Sequence, residues 1–119
     1  HKLLLIDDAA VIQQLHAYLQ TMDFPNTAFY LSKDNYLEVT HKEVSKEQAL
    51  LEVAKHYQIP LEQVMTIGDN FNDLPMLRLA GLGVAMGNAP EAVKLEATAI
   101  TKSNNQNGVA KAIEKYVLL

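Results

Sequence analysis

Ten residues just past the middle of the chain read Val64-Met65-Thr66-Ile67-Gly68-Asp69-Asn70-Phe71-Asn72-Asp73. The first four are mostly apolar and β-favouring, which predicts a short buried strand that ends at the glycine. An apolar pattern at helical spacing resumes with Leu74, Leu77 and Ala80 and predicts a helix over 72–80. A strand, a polar loop and a helix in this order place two carboxylates at the carboxyl end of a strand, where α/β sheets bind ligands.

The polar loop holds two acids and two amides, Asp69, Asn70, Asn72 and Asp73, which is more than helix capping requires. Hard oxygen ligands crowded at a strand end suggest Mg²⁺, which proteins hold with one or two carboxylates plus water and phosphate oxygens. The alternative is that Asn70 or Asn72 only caps the following helix. The spacing alone leaves both interpretations open.

The composition excludes several classes of protein. The chain has 119 residues, a hydrophobic fraction of 49%, a net charge of −4 and no cysteine. These values exclude disulfides and thiolate metal sites and give no electrostatic footprint for nucleic acid. No apolar run reaches the roughly 18 residues of a membrane helix, and the apolar run near the start is too short for a signal peptide and lacks a cleavage site. We therefore expect a cytoplasmic protein without nucleic-acid or membrane partners.

The pattern along the chain predicts two parts. Residues 1–42 read as a buried strand over Lys2–Ile6, a helix that opens after Asp8, and a hairpin with a four-residue turn between Thr27–Leu31 and Tyr36–Thr40. From residue 43 onward the order becomes α-β-α-β-α-β-α, which implies a parallel sheet. Its predicted strands are 64–67, 82–86 and 98–101. The last helix begins at Asn107, and four of its residues are predicted to face inward: Val109, Ile113, Tyr116 and Val117.

Lys46 is the second unusual feature of the sequence. Ser45-Lys46-Glu47-Gln48 matches a capping box with Ser45 as N-cap, so Lys46 takes the first helical position. The macrodipole disfavours a cation there by about 0.3 kcal/mol, and a residue that breaks a local rule is a functional candidate. The alternative is an ordinary surface lysine. Lys46 lies at the start of the helix that precedes the strand before Asp69, so we expect both side chains to reach the same edge of the sheet. A lysine and a metal ion close together at that edge suit phosphoryl transfer.

These motifs together resemble the C-terminal half of a haloacid dehalogenase-like phosphatase of the Cof-type branch. The resemblance rests on Ser45-Lys46, Gly68 to Leu77, Gly83-Val84-Ala85-Met86-Gly87-Asn88-Ala89 and Asn107-Gly108-Val109-Ala110. It implies an α/β fold in which residues 43–119 form the C-terminal part of a Rossmannoid catalytic core with a parallel sheet. Residues 1–42 would be the β-α-β-β end of an α+β cap domain.

The resemblance also implies a role for each site residue. Lys46 and Asp69 would be catalytic: Lys46 binds the substrate phosphate and stabilises the charge of the nucleophile, and Asp69 is a Mg²⁺ ligand. Asn72 would contact the phosphate, Asp73 would support the metal through water, and Gly68 would permit a tight turn. The implied activity is Mg²⁺-dependent hydrolysis of small phosphate monoesters, such as sugar or flavin-related phosphates, through a phospho-aspartyl intermediate.

The nucleophile motif of that family, Asp-x-Asp followed by Gly and Thr, is missing from this sequence. Asp7 ends an apolar strand, but Ala9 stands where the acid/base aspartate would be, so Asp7 is assigned to the cap. Glu47 also replaces a frequent glycine. We therefore expect these residues to be inactive alone and to need the N-terminal part of the same protein.

Two other functions stay open from the sequence. One is a non-enzymatic remnant or binding module that keeps the acidic loop for a metal or a partner. The other is a phosphomutase of the same superfamily. Asn88 and Asn107 are assigned to turns and caps and receive no chemistry.

Overall fold

The structure is a computed structural model that describes residues 1–118. The chain forms two compact units, the first over His1–Val44 and the second beginning at Ser45. Each unit has its own three-stranded sheet. The assignment of the first unit to a cap and the second to a catalytic core stays a prediction. In the part of the chain that the structure describes, no helix is long and apolar enough to cross a membrane.

The first unit is an antiparallel sheet with one helix. Its elements are β1 (Leu3–Ile6), α1 (Ala9–Gln20), β2 (Thr27–Lys33) and β3 (Tyr36–His41). The strand order is β1-β3-β2, and α1 packs on β2 and β3. Ile12 of α1 and Leu37 of β3 are fully buried and form the core between helix and sheet. The order β-α-β-β is the predicted one.

The hairpin of this unit is tighter than the sequence predicted. β2 continues to Lys33 and β3 begins at Tyr36, so the turn contains only Asp34 and Asn35. A register irregularity between Leu31 and Lys33 accommodates the extra strand residues. The prediction of a four-residue turn was wrong because Ser32 and Lys33 continue the strand, while Asp and Asn supply the turn chemistry.

The predicted burial of β1 was also wrong. The strand lies at the edge of the sheet, pairs with β3, and its side chains are exposed, from 38% at Leu5 to 66% at Leu3. An apolar run indicates that the side chains of a strand favour burial, but it does not show which other part of the protein packs against them.

The second unit alternates helices and strands. Its elements are α2 (Lys46–Tyr57), β4 (Met65–Gly68), α3 (Leu74–Leu79), β5 (Leu82–Ala85), α4 (Glu91–Glu96), β6 (Ala99–Ile100) and α5 (Gly108–Tyr116). The three strands are parallel in the order β4-β5-β6, which confirms the predicted α/β class and its parallel sheet. The helix predicted over 72–80 begins instead as a 3₁₀ turn over Phe71–Asp73, and α3 follows it directly.

The core of this unit fixes α3 against the sheet. Leu77 of α3, Ala85 of β5 and Val93 of α4 are all but inaccessible to solvent and pack in one cluster. Gly83 allows the close approach, because a Cβ atom there would lie 2.1 Å from the carbonyl oxygen of Leu77. The loop between β4 and α3 is therefore fixed at both ends, because β4 pairs with β5 and α3 packs against the sheet.

The inward face predicted for α5 was wrong for three of its four residues, and only Tyr116 is half-buried. Gly108 and Ala112 are buried, whereas Val109, Ile113 and Val117 are 48%, 37% and 58% exposed. The small residues face the sheet because the helix approaches it closely: a Cβ atom on Gly108 would lie 2.0 Å from the carbonyl oxygen of Lys102. The larger apolar side chains are left on the outer side.

Candidate active site

The N-terminus of α2 is built as the sequence predicted. The hydroxyl of Ser45 accepts a hydrogen bond from the backbone N–H of Gln48 at 3.1 Å, which confirms Ser45 as the N-cap. The helix begins at Lys46, so the lysine occupies the first position. Its side chain is 52% exposed, which leaves its ammonium group accessible to a ligand.

The loop after β4 is organised by a second capping box. The side-chain oxygen of Asn70 accepts from the backbone N–H of Phe71 at 2.8 Å. Asp73 Oδ2 accepts from the backbone N–H of Asn70 at 3.1 Å and from that of Asp69 at 2.8 Å. The capping interpretation therefore holds for Asn70, and Asp73 is the acid that completes it.

Asp73 also joins this loop to α2. Its other oxygen, Oδ1, accepts a hydrogen bond from the ammonium group of Lys46 in an ion pair. The carboxylate is only 2% exposed, and it is the one buried charged side chain among residues 1–118. Lysine at a helix start is unfavourable for the helix dipole, but here the carboxylate balances its charge.

The contacts of Asp73 also change its acidity. Burial raises the pKa of its carboxyl group and is the largest single effect. The hydrogen bonds from Lys46, Asp69 and Asn70, together with the positive charge of Lys46, oppose burial and hold the pKa below the usual value of 3.8. Asp73 is therefore ionised at neutral pH, and it acts as an acceptor and not as a proton donor.

Gly68 leaves the room that Asp73 occupies. A Cβ atom on Gly68 would lie 2.5 Å from Asp73 Cβ and 2.8 Å from its Cγ and Oδ2. Its backbone φ is not positive, so conformational freedom is not the reason for the glycine. The implied role in a tight turn is thus better described as steric: a larger residue would displace the buried carboxylate.

The carboxylate of Asp69 remains available to a ligand. Its backbone N–H is bound to Asp73, but within residues 1–118 its side chain makes no hydrogen bond or ion pair, and it is exposed. The side chain of Asn72 is likewise exposed and without a hydrogen-bond partner in the described chain. A free carboxylate and a free amide next to a lysine fit an anionic ligand that binds with a cation.

A Mg²⁺ ion would fit this loop only with help from other groups. Across residues 1–118, no three His, Cys, Asp or Glu side chains are grouped to hold a metal. Asp69 offers one direct carboxylate, because both oxygens of Asp73 already accept hydrogen bonds. Mg²⁺ is commonly held by one or two carboxylates, with water and phosphate oxygens as the remaining ligands, so the donor set suits this ion.

Of the four predicted site residues, the structure brings three into direct connection. Lys46 contacts the Asp73 side chain, and Asp73 binds the backbone of Asp69. Asn72 lies in the same turn but is not joined to them by a hydrogen bond in the part of the chain described. Sequence reasoning gave no role to Phe71, although an aromatic residue inside an otherwise polar loop was a signal available to it.

The two asparagines assigned to turns behave differently. Asn88 follows β5, and its side-chain oxygen accepts from the backbone N–H of Asn104 at 2.9 Å, so it links two loops, whereas the sequence assigned it only to a turn or a cap. Asn107 precedes α5 in the left-handed region with φ of 58°, but its side chain makes no capping hydrogen bond. Asparagine tolerates this conformation better than most residues, which explains its presence there.

The fold and the site define a class of α/β protein with an acidic loop at a strand end and a lysine on the preceding helix. A family model described as haloacid dehalogenase-like hydrolase matches residues 1–113. The chain therefore belongs to the haloacid dehalogenase-like hydrolase family.

Individual proteins of known name are similar to this chain in sequence and in structure. A 5-amino-6-(5-phospho-D-ribitylamino)uracil phosphatase of Bacillus subtilis, YcsE, is 45% identical over 87 residues, covering 73% of this chain and 35% of its own. The crystal structure of a haloacid dehalogenase-like hydrolase from Bacteroides thetaiotaomicron superposes with a TM-score of 0.87 at 36% identity, covering 96% of this chain and 43% of that one. The subclass IIB sugar phosphatase BT4131 gives a TM-score of 0.69 at 35% identity, covering 80% of this chain and 36% of that one. The chain spans less than half the length of the curated relatives that it matches.

Proposed function

We propose that the protein containing this chain is a Mg²⁺-dependent phosphatase that hydrolyses small phosphate monoesters. The observation that carries the proposal is the contact between Lys46 and the buried Asp73 beside the free carboxylate of Asp69. This arrangement holds a cation in place at the carboxyl end of β4 and keeps one acid available for a metal. Positioning and charge neutralisation are what phosphoryl transfer chiefly needs from a protein.

In this proposal, Lys46 and Asn72 bind the phosphate group of the substrate and Asp69 binds the metal ion. An ammonium group has three donors, so Lys46 can keep its hydrogen bond to Asp73 and give the others to phosphate oxygens. Asn72 donates from its amide to the same group, and Asp69 holds the metal. Bound Mg²⁺ would neutralise charge on the transferring phosphoryl group.

The nucleophile in this proposal is an aspartate from the N-terminal part of the same protein. Its carboxylate oxygen forms a bond to phosphorus as the ester P–O bond breaks, and the acid/base aspartate of the same motif gives a proton to the leaving alcohol. Water then gives that aspartate a proton as it attacks phosphorus, the bond between phosphorus and the nucleophile breaks, and phosphate leaves. β4 supports this division, because it pairs with β5 and, in the described part of the chain, with no strand on its other side.

The substrate class is inferred from the relatives and not from a pocket. One relative is named for 5-amino-6-(5-phospho-D-ribitylamino)uracil, and another is named a sugar phosphatase. We propose that this protein likewise acts on a phosphorylated sugar or a similar small metabolite. In the same proposal, residues 1–42 belong to the cap domain.

The test is hydrolysis of a generic aryl phosphate by the complete protein, with Mg²⁺ and with a chelator. Asp69→Asn and Lys46→Met should each lower kcat/KM by about 10²-fold or more, because each removes charge stabilisation from the transition state. Lys55→Met is the matched control, since it removes an exposed lysine from the other end of α2. It should leave kcat/KM unchanged.

The outcomes separate the possible functions. Turnover that does not need Mg²⁺, or that survives Lys46→Met, would contradict the proposal. Phosphate binding without turnover would instead favour a binding module. Steady turnover by the 119-residue chain alone, lost on Asp7→Asn, would show that the nucleophile is Asp7 and that the first 42 residues were wrongly assigned.

A further inference from the structure

Phe71 is an exposed aromatic side chain inside the site loop. It lies between Asn70 and Asn72, two residues after Asp69, and it is 56% exposed. The backbone of Phe71 is fixed, because its N–H donates to Asn70 and the 3₁₀ turn continues through Asp73. The same capping box that orders the acidic residues therefore fixes the backbone from which the ring projects.

The architecture of the loop does not explain an aromatic residue at this position. The capping box uses the side chains of Asn70 and Asp73 and only the backbone of Phe71. Within residues 1–118 the ring makes no contact with another aromatic ring or with a cation. A phenylalanine left half in water forgoes much of the stabilisation that burial gives, so it is a candidate for burial by a ligand.

We propose that Phe71 packs against the organic group of the substrate, and so favours phosphate esters that present a flat or apolar face. The inference rests on the proposed function, since it places the phosphate at Lys46, Asn72 and Asp69. Phe71 and Asn72 belong to the same 3₁₀ turn, so an organic group that extends from a phosphate bound at Asn72 comes within reach of the ring of Phe71. An aryl ring or the C–H face of a sugar would bury the exposed ring, while Asn72 and Lys46 hold the phosphate.

The test compares two ligands that share a head group and differ in the organic part. Phenylphosphonate and methylphosphonate both present a phosphonate, and their C–P bond resists hydrolysis, so binding is measured without turnover. The dissociation constants of the complete protein with Mg²⁺ are determined by calorimetry. We expect phenylphosphonate to bind at least about tenfold more tightly than methylphosphonate, a difference of about 1.4 kcal/mol.

Variants assign this preference to the ring. Phe71→Ala should reduce the ratio of the two dissociation constants to about one by weakening phenylphosphonate alone, and Phe71→Tyr should retain it. Leu95→Ala is the matched control, because it removes an apolar side chain that is 84% exposed on α4, outside the loop. It should leave both dissociation constants unchanged.

Three results would overturn the inference, and they differ from those that overturn the phosphatase proposal. An unchanged ratio in Phe71→Ala would show that the ring does not touch the ligand. Equal weakening of both phosphonates would show that Phe71 only supports the loop. A wild-type protein that hydrolyses aryl phosphate with no preference between the phosphonates would reject the inference alone, whereas a protein that neither hydrolyses aryl phosphate nor binds either phosphonate would reject both proposals.

Discussion

Asp73 is the residue on which the local structure of the site depends. One carboxylate accepts from Lys46 and from the backbone N–H groups of Asp69 and Asn70, while Gly68 leaves space for it. A buried charge with these partners ties two segments that are 27 residues apart in sequence. Its role in the structure is thus to position both the lysine and the metal-ligand candidate, whatever it contributes to a bound metal.

Asp73→Asn should destabilise the second unit at neutral pH by about 1–3 kcal/mol, because an amide keeps the shape but loses the charge that pairs with Lys46. The folded-state pKa of Asp73 lies below its value in the unfolded chain, so the carboxylate stabilises the fold above about pH 4. This contribution is lost as the pH falls through the folded-state pKa. Urea denaturation of wild type and variant at pH 7 and near pH 3 measures the difference.

The variant should therefore approach wild type in stability as the solution is acidified. Glu114→Gln provides the control, because Glu114 forms an exposed ion pair with Lys111 at 2.7 Å and such pairs contribute little. If the difference in unfolding free energy between Asp73→Asn and wild type stays the same at pH 3, the variant is destabilised by the hydrogen-bonding geometry of the amide. The charge of Asp73 would then be unimportant for stability.

Among the elements, α2 has a strained backbone conformation at its C-terminal end. Gln58 follows the last residue of α2 as its C-cap, adopts the left-handed conformation with φ of 56° and donates its N–H to the carbonyl groups of Ala54 and Lys55. A side chain in this region costs about 1 kcal/mol, and glycine is the residue that helices prefer there. Gln58→Gly should therefore raise the free energy of unfolding by about 0.5–1 kcal/mol.

Gln58→Ala separates relief of backbone strain from loss of the glutamine side chain. Alanine has a Cβ atom and suffers the same conformational cost, so it should give no comparable gain. Thermal unfolding of the three proteins would decide between the two causes. Equal stabilisation by glycine and alanine would refute the strain argument.

Sequence patterns located the elements of the second unit well, because each depends on local chemistry. The Ser45 cap, the break at Gly68 and the strands before it and around Val84 follow from side chains a few residues apart. The polar cluster likewise revealed the candidate site. What the sequence could not show was the ion pair of Lys46 with Asp73, since a contact across 27 residues depends on packing.

Two of the failed predictions concern burial. The side chains of β1 and the outer face of α5 were predicted to be inward and are exposed. A hydrophobic pattern records which side chains favour removal from water, and a neighbouring element must then supply the cover. In the hairpin, Ser32 and Lys33 are polar yet remain in β2, because an exposed strand tolerates polar residues on its outer face.

At the scale of the whole molecule, the open side of β4 is the feature that bears on the proposed function. The carbonyl groups of Val64 and Gly68 point toward β5: they accept from the backbone N–H groups of Leu82 at 3.1 Å and of Met86, the residue after β5, at 2.8 Å. Backbone groups alternate in direction along a strand, so those of Met65 and Ile67 point away from β5. An unpaired edge of this kind can accept another strand.

Hydrogen exchange measured by NMR tests whether a strand from the remainder of the protein pairs there. In the 119-residue chain, we expect the amides of Met65 and Ile67 to exchange at least about tenfold faster than those of Thr66 and Gly68. In the complete protein all four should be protected. The amide of Val84, in the central strand β5, is the control and should be protected in both.

The 119-residue chain and the complete protein contain the same β4 sequence, so a difference in exchange rate between them reports on what pairs with β4. Protection of Met65 and Ile67 that appears only in the complete protein requires a hydrogen-bonding partner from outside these 119 residues, and it would place that partner beside the loop of Asp69. Fast exchange of both amides in the complete protein would show that this edge stays open. The nucleophile would then have to reach the site from another direction, and the division of the active site proposed above would need revision.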